Sequence, residues 1–206
     1  MINAFNQVTE TVLIHYHKRP SPHRPFIVGV DGLGGSGKTT LAEALKREIK
    51  YSPSILHLDD FIVEKGRRYG TGNEEWYEYY ALQWDVASLS TNLFQKLHHN
   101  LEIILPFYDS STGTIVQKDF HYAQDTIILI EGVFLQRKEW RDFFDYVIFL
   151  DCPPETRAER VIRRDAYLGD EQERIAKYER RYWKAEEHYL LHEDPVGRAD
   201  YIFSEG

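Results

Sequence analysis

Residues 32 to 39 read Gly-Leu-Gly-Gly-Ser-Gly-Lys-Thr, set between the apolar run Phe26-Ile-Val-Gly-Val30 and the helical stretch Leu41-Ala-Glu-Ala-Leu45. Glycines at 32, 34, 35 and 37, with Ser36 among them, let successive backbone N–H groups turn inward around an anion. The N-terminus of the following helix adds its partial positive charge. Lys38 can reach outer phosphates, the Thr39 hydroxyl can hold a magnesium ion, and Thr40 closes the cradle. A strand, this loop and a helix in that order form a Walker A phosphate cradle. The chemistry it supports is the binding of a nucleoside triphosphate, ATP or GTP, with Mg²⁺.

A second pattern lies inside the first. Gly32, Gly34 and Gly37 also spell G-x-G-x-x-G, and Asp59 and Asp60 stand about twenty residues on, where a ribose-binding acid of a dinucleotide site would sit. Lys38-Thr39-Thr40 favours the triphosphate reading, because a pyrophosphate-binding turn needs neither the lysine nor the hydroxyls. An NAD-binding oxidoreductase is nevertheless a rival class, and it predicts NAD affinity and indifference to magnesium. A non-catalytic nucleotide-binding module is another. No N-K-x-D guanine-reading motif supports the latter.

Three further charged features fall where apolar strands end. Asp59 follows Ser54-Ile-Leu-His-Leu58, and Glu131 follows Thr126-Ile-Ile-Leu-Ile130 in the position of a Walker B carboxylate. An arginine-dense helix follows Tyr146-Val-Ile-Phe-Leu150, with Arg157, Arg160 and Arg164 spaced three and four apart and therefore on one face. Each has an ordinary explanation, as a helix cap or a solvated helix face. Behind a Walker A loop they jointly supply what phosphoryl transfer requires: metal ligands, a base, and planar cations over the transferring group. A break at Gly169 gives the arginine helix a hinge, so it reads as a lid.

The elements that must position these groups can be read from the same pattern. Residues 3 to 18 form an amphipathic helix through Phe5, Val8, Val12, Leu13 and Tyr16, and a proline-punctuated linker, Arg19 to Pro25, leads into the first strand. Glu64 to Gly72 reads as an exposed loop, Asp85 to Leu97 as a helix, and Leu101 to Pro106 as a strand. Continuous apolar runs at 126–130 and 146–150 fit central parallel strands covered on both faces. Residues 154 to 192 are mostly helical, and Tyr201-Ile-Phe203 is a closing strand. Strands alternating with helices imply an α/β fold with a doubly wound, mainly parallel sheet whose ligands bind at the strands' C-terminal ends.

Composition bounds the partners. The chain has 206 residues, 42% apolar and 28% charged, which is enough for one sizeable α/β domain. A net charge of −8 argues against nucleic acid or an anionic membrane. The single cysteine, Cys152, excludes an internal disulfide framework and fits a reducing cytoplasm. The polar N-terminus shows no signal-peptide pattern. Copies of the chain could assemble into a homo-oligomer, a point the residues leave open.

Taken together, GLGGSGKTT, the LDDF at Leu58 to Phe61, P-x-Y-D at Pro106 to Asp109, Glu131-Gly132, R-x-x-R-x-x-x-R-D at Arg157 to Asp165 and the closing Ala199-Asp200 resemble the uridine kinases. More broadly they resemble the P-loop kinases that include phosphoribulokinase and pantothenate kinase. The similarity runs from about residue 26 to the end. It implies a three-layer P-loop NTPase fold with an N-terminal helix and linker over 1–24, a single kinase domain over 25–206 and an Arg-rich helical lid at roughly 154–175. It also implies an ATP- or GTP-dependent phosphotransferase acting on the hydroxyl of a small molecule, most simply a nucleoside. Pantothenate, a sugar phosphate or a vitamin-type alcohol are the alternatives.

The resemblance assigns roles as well. Asp59 would be the general base and would help hold Mg²⁺ with Thr39 and Glu131, Tyr108 would contact the acceptor, Arg157 would span acceptor and phosphates, and Lys38, Arg160 and Arg164 would meet the phosphates. Departures lie on the acceptor side. Phe61-Ile62 replaces Phe-Tyr, Tyr79 falls where a ribose-binding aspartate is expected, Gly113 where a histidine is, and Leu168-Gly169-Asp170 where R-G-R is.

Other signals read as ordinary surface or core. His188 and His192 are four apart on a helix without the glutamate of a metalloprotease motif. Lys65, Arg67 and Arg68 form either a wet loop or a contact for an anionic acceptor. Cys152 reads as a small buried residue.

Overall fold

The computed structural model describes residues 2–51, 53–99 and 101–204. Helix α1 (Ile2–Lys18) precedes strand β1 (Phe26–Gly32), and α2 (Lys38–Glu48) follows the glycine loop directly. Then come β2 (Ser54–His57), a single 3₁₀ turn over Leu58–Phe61, and the short helices α3 (Lys65–Arg68) and α4 (Glu75–Ala81). Helices α5 (Val86–Leu89) and α6 (Lys96–His99) are joined by a wide helical turn, Ser90–Gln95. Strands β3 (Glu102–Asp109), β4 (Thr114–His121), β5 (Ile127–Gly132) and β6 (Tyr146–Asp151) precede α7 (Pro154–Arg164). Helices α8 (Glu171–Lys177), α9 (Lys184–Glu193) and α10 (Pro195–Arg198) lead to the last strand, β7 (Tyr201–Ser204).

Five strands form a parallel sheet in the order β2-β5-β1-β6-β7. Strand β1 and the six residues of β5 are buried throughout, which is why these runs are apolar without alternation. Side chains nonetheless alternate between two cores. Val28, Val30, Leu129 and Ile148 pack with Val8, Val12 and Tyr16 of α1 and Leu41 and Leu45 of α2. Ile27, Ile128, Ile130, Val147 and Phe149 pack on the opposite face with Trp84, Leu93, Phe94, Trp140 and Tyr189. The result is a three-layer α/β sandwich with β1 at its centre. Its neighbours β5 and β6 lie on opposite sides, so the crevice of the switch point opens at the glycine loop.

Two segments differ from the sequence reading. The strand beginning near Leu101 is longer than expected and does not join the parallel sheet. It pairs antiparallel with β4, in register from Glu102 opposite His121 to Asp109 opposite Thr114. Most of β4 is solvent-facing and lacks apolar alternation, so its stability comes from the backbone ladder and not from burial. The stretch 64–72, read as an exposed loop, contains α3, whose Arg68 is buried.

The reason is a buried ion pair. The Arg181 guanidinium, wholly inaccessible, donates to Glu78 Oε2 at 3.1 Å, to the Arg68 carbonyl at 3.0 Å and to the Glu75 carbonyl at 3.3 Å. It also stacks 3.9 Å from the Tyr69 ring centroid. Glu78 in turn accepts from Thr71 N at 2.7 Å and Thr71 Oγ1 at 2.9 Å. One arginine thus holds α3, α4 and the intervening loop together. Arg181→Ala strands the Glu78 carboxylate in the interior and is expected to cost about 3–5 kcal/mol. For a chain of this size that is a fall of about 6–20 °C in Tm by calorimetry.

Candidate active site

The phosphate loop is shaped by its glycines and by what presses on them. Gly37 caps α2 at φ 95°. A Cβ at Gly35, where φ is 79°, would stand 2.7 Å from the Arg157 carbonyl and 2.9 Å from the Val161 side chain. Helix α7 therefore packs directly on the loop, and only glycine fits between them.

Beneath the loop lies a buried carboxylate. Asp31 is fully inaccessible and accepts from Gly32 N at 2.8 Å, Tyr189 Oη at 2.5 Å and Gln136 Nε2 at 3.1 Å. Burial raises its carboxyl above the usual range, and these three hydrogen bonds, with the charge of Lys38, work against that rise. Gln136 also donates to the Pro195 carbonyl at 2.7 Å. The loop is thereby tied to α9 and α10 from below.

The residues expected to do chemistry come together at the C-terminal rim of the sheet. Thr39 Oγ1 stands 3.3 Å from Glu131 Oε1. Lys38 Nζ donates to the Leu33 carbonyl at 2.9 Å. Burial lowers the Lys38 ammonium, opposed in order by the charges of Glu131, Asp31, Glu186 and Asp59. Asp59 is reached by solvent, yet the cleft walls thin its hydration. That effect first, and the Glu131 charge second, raise its carboxyl, with Lys38 and Arg164 opposing. Beside Glu131, His57 Nδ1 lies 2.6 Å from Oε1, and this hydrogen bond raises the imidazole. One hydroxyl and two nearby carboxylates are hard oxygen donors, a set that fits Mg²⁺ with some of its water shell retained.

Two clefts meet here. The smaller, about 300 Å³, is walled by Gly35, Gly37, Lys38, Thr39, Thr40 and Arg160. The larger, about 420 Å³, contains Asp59, Asp60, Tyr79 and Tyr108 among its walls. Arg164 borders both, so it stands where a group passing between them would travel. Its guanidinium is steered by Asp165, with Nε to Oδ1 at 2.8 Å, and the Tyr178 hydroxyl donates to the same carboxylate.

Arg157 is placed differently from the expected phosphate and acceptor contact. Its Nη1 pairs with Glu186 Oε2 at 2.9 Å and approaches the Gly34 carbonyl at 3.3 Å, while Nε donates to the Cys152 carbonyl at 3.2 Å. The reason is its position in the first turns of α7, close against the loop, where α9 supplies a buried carboxylate. Glu186 itself carried no sequence signal. Its Oε1 accepts from Gly34 N at 2.6 Å, so a side chain far along the chain fills one of the loop's inward N–H groups. Gln83, on the larger cleft, was likewise not legible as a site residue, whereas Arg68, read from sequence as either part of a wet loop or an acceptor contact, is buried on that same cleft.

A parallel sheet whose first strand runs through this loop into a helix, with a hydroxyl and a carboxylate paired beside the loop lysine, defines a P-loop nucleotide-binding protein. Known proteins agree. The AAA domain family matches residues 28–184. The structure of a possible uridine kinase from Bacillus stearothermophilus superposes with a TM-score of 0.80 at 41% identity, covering 98% of this chain and 97% of that one. The uridine kinase of Lactiplantibacillus plantarum is 29% identical over 144 residues, 69% of this chain and 68% of its own length. That of Bacillus pumilus is 28% identical over 145 residues with the same coverage. The chain belongs to the AAA domain family by the model it matches and to the uridine kinase-like P-loop kinases by its relatives.

The two arginines of α7 are separable by experiment. Arg157→Ala leaves Glu186 buried without its partner and is expected to lower stability by about 3–5 kcal/mol. Arg160, whose Nη1 donates to the Gly35 carbonyl at 3.2 Å at the edge of the smaller cleft, strands no buried carboxylate among the described residues when removed. Arg160→Ala is therefore expected to lower Tm less than Arg157→Ala and to reduce turnover more than nucleotide binding. Thermal melts of the two variants beside their steady-state kinetics check both.

Proposed function

We propose that this kinase uses Mg-ATP or Mg-GTP to phosphorylate a hydroxyl group of a small molecule, most simply a nucleoside. The observation that carries the proposal is the meeting of Lys38, the Thr39–Glu131 pair and Asp59 at the junction of two clefts, one shaped for phosphates and one lined by tyrosines.

Each residue has a task that follows from its place. The loop N–H groups and Lys38 bind the β- and γ-phosphates, and Arg160 and Arg164 lie where charge spreads onto the transferring oxygens. Thr39 and Glu131, with Asp59 nearby, would hold Mg²⁺, which would supply charge neutralisation for the triphosphate. Asp59 orients the acceptor hydroxyl and takes its proton as the new O–Pγ bond forms and the Pγ–O bond to the β-phosphate breaks, releasing the nucleoside diphosphate. Tyr108 and Tyr79 wall the acceptor. Arg157 acts on the loop through Glu186 in this arrangement. The relatives named uridine kinase support a nucleoside acceptor, and the reducing setting suggested by the lone cysteine is in keeping with a cytoplasmic enzyme.

The first experiment measures ADP or GDP release with each triphosphate against uridine, cytidine, other nucleosides, pantothenate, pentose phosphates and simple vitamins. A pyrimidine nucleoside is the expected acceptor; activity on another alcohol alone would refute the nucleoside reading. Asp59→Asn is expected to keep nucleotide affinity and to lose a factor on the order of 10²–10⁴ in turnover. Lys38→Ala is expected to lower both affinity and turnover, and unchanged activity would remove the phosphate loop from the mechanism. Retention of NAD in place of a triphosphate would overturn the whole assignment.

A further inference from the structure

The larger cleft holds two polar side chains that the reaction outlined above does not use. Arg68 is 8% exposed, and its Nε donates to the Val63 carbonyl at 2.8 Å. No carboxylate pairs with its guanidinium among the described residues. The guanidinium instead lies 5.1 and 5.4 Å from the ring centroids of Tyr69 and Tyr108. Gln83 is also 8% exposed, and its Oε1 is buried with no hydrogen-bond partner among the described residues.

The two are neighbours through one residue: Val63 N donates to the Gln83 carbonyl at 3.0 Å, and the Val63 carbonyl receives Arg68 Nε. Both line the cavity that contains Asp59 and Tyr108.

Buried polar groups are ordinarily satisfied, and an orphaned one calls for a reason. Gln83 Oε1 is such an orphan, and Arg68 on the same cavity wall has the complementary need. Arginine offers only donors, so it seeks an acceptor oxygen, whereas the Gln83 Oε1 seeks an N–H or O–H. The tyrosines beside them present flat apolar faces suited to a planar group.

Charge narrows the choice further. The cavity wall carries Asp59, Asp60, Asp165 and Glu186 against Arg68 and Arg164. Asp165 is bound by Arg164, and Glu186 by Arg157 from outside the cavity. Asp59 is opposed by the charges of Lys38 and Arg164, which leaves Asp60 against Arg68, a nearly balanced lining that suits a neutral acceptor.

We infer that Arg68 and Gln83 determine acceptor specificity by reading the edge of a neutral planar group in which a carbonyl lies beside an N–H, as in the imide edge of a uracil-type pyrimidine. The inference rests on the nucleoside reading above and names the residues that would enforce it. The acceptor-side positions at which this chain departs from the uridine kinase pattern leave room for such a replacement.

The test compares uridine with N3-methyluridine, which lacks the N–H, on the wild-type protein and on Gln83→Ala, with Mg-ATP saturating. The wild type is expected to prefer uridine by about tenfold or more in kcat/KM. Gln83→Ala is expected to lose about tenfold or more on uridine itself, to bring the two substrates close together, and to keep the wild-type KM for ATP. Arg68→Met is expected to raise KM for uridine with the ATP KM again unchanged.

If Gln83→Ala does not fold, as judged by its melt, Gln83→Met preserves the bulk without the amide and gives the same comparison. Undiminished uridine activity with a gain only on the methylated analogue would mean that Gln83 merely fills space. Preference for uridine that survives in the variant would equally overturn the inference while leaving the nucleoside kinase intact. Turnover confined to phosphorylated or carboxylated alcohols would overturn both.

Discussion

Everything at this site depends on the in-register pairing of β5 between β1 and β2. Val30 and His57 both stand opposite Glu131, and Asp31 stands opposite Gly132. Because the three strands are parallel and end together, the chain leaves all of them on the same rim. The glycine loop, the turn bearing Asp59, and Glu131 are thus delivered to one place by backbone hydrogen bonds alone. A slip of one residue in β5 would send Glu131 into a core and bring an apolar side chain beside Thr39. Burial on both faces guards against that slip, since every β5 residue has a packing partner of fixed shape.

Within this frame the charges are gathered around Lys38. Lys38 is surrounded by Glu131, Asp31, Glu186 and Asp59, and burial pushes the lysine down and Asp31, Asp59 and Glu186 up. Such a collection is costly in the absence of compensation, and each acid has found some. Asp31 has three donors, Glu186 has Gly34 N and Arg157, and Glu131 has Thr39 and His57. Asp59 is the member of this group for which no side-chain hydrogen bond stands among the described contacts, in keeping with the proposal that it meets the acceptor hydroxyl. On that proposal, preorganisation means that the loop and its supports are fixed while the carboxylate of Asp59 is left available.

Much of the architecture was legible because it is written locally. The glycine loop needs particular residues at particular spacings, and fully buried parallel strands need unbroken apolar runs, so β1, β5 and β6 declared themselves. Asp59 and Glu131 were readable as acids at strand ends. What escaped was non-local or lacked burial. Strand β4 is polar on most positions and is held by its partner's backbone. Arg68 sits in a stretch of charge that looks solvated until Arg181, more than a hundred residues later, folds over it. Glu186 lies in an unremarkable acidic stretch of α9, and only the packing of α9 against the loop gives it a role. The orientation of Arg157 followed from that same contact: helix spacing put three arginines on one face, but their individual partners were set by tertiary neighbours.

The Asp31 network carries a consequence for how this sequence can change through descent. Removing one member of a buried hydrogen-bonded group strands the others, while exchanging all of them for matched apolar groups can be nearly neutral. Tyr189 shares its hydroxyl between Asp31 and the Gln136 backbone, and Gln136 shares its amide between Asp31 and Pro195, so no single replacement leaves the remainder content. Positions 31, 136 and 189 should therefore be inherited as a block. Relatives with a non-acidic residue before the first loop glycine should have altered the other two as well, although all three lie far apart in the chain and none is among the walls of either cleft.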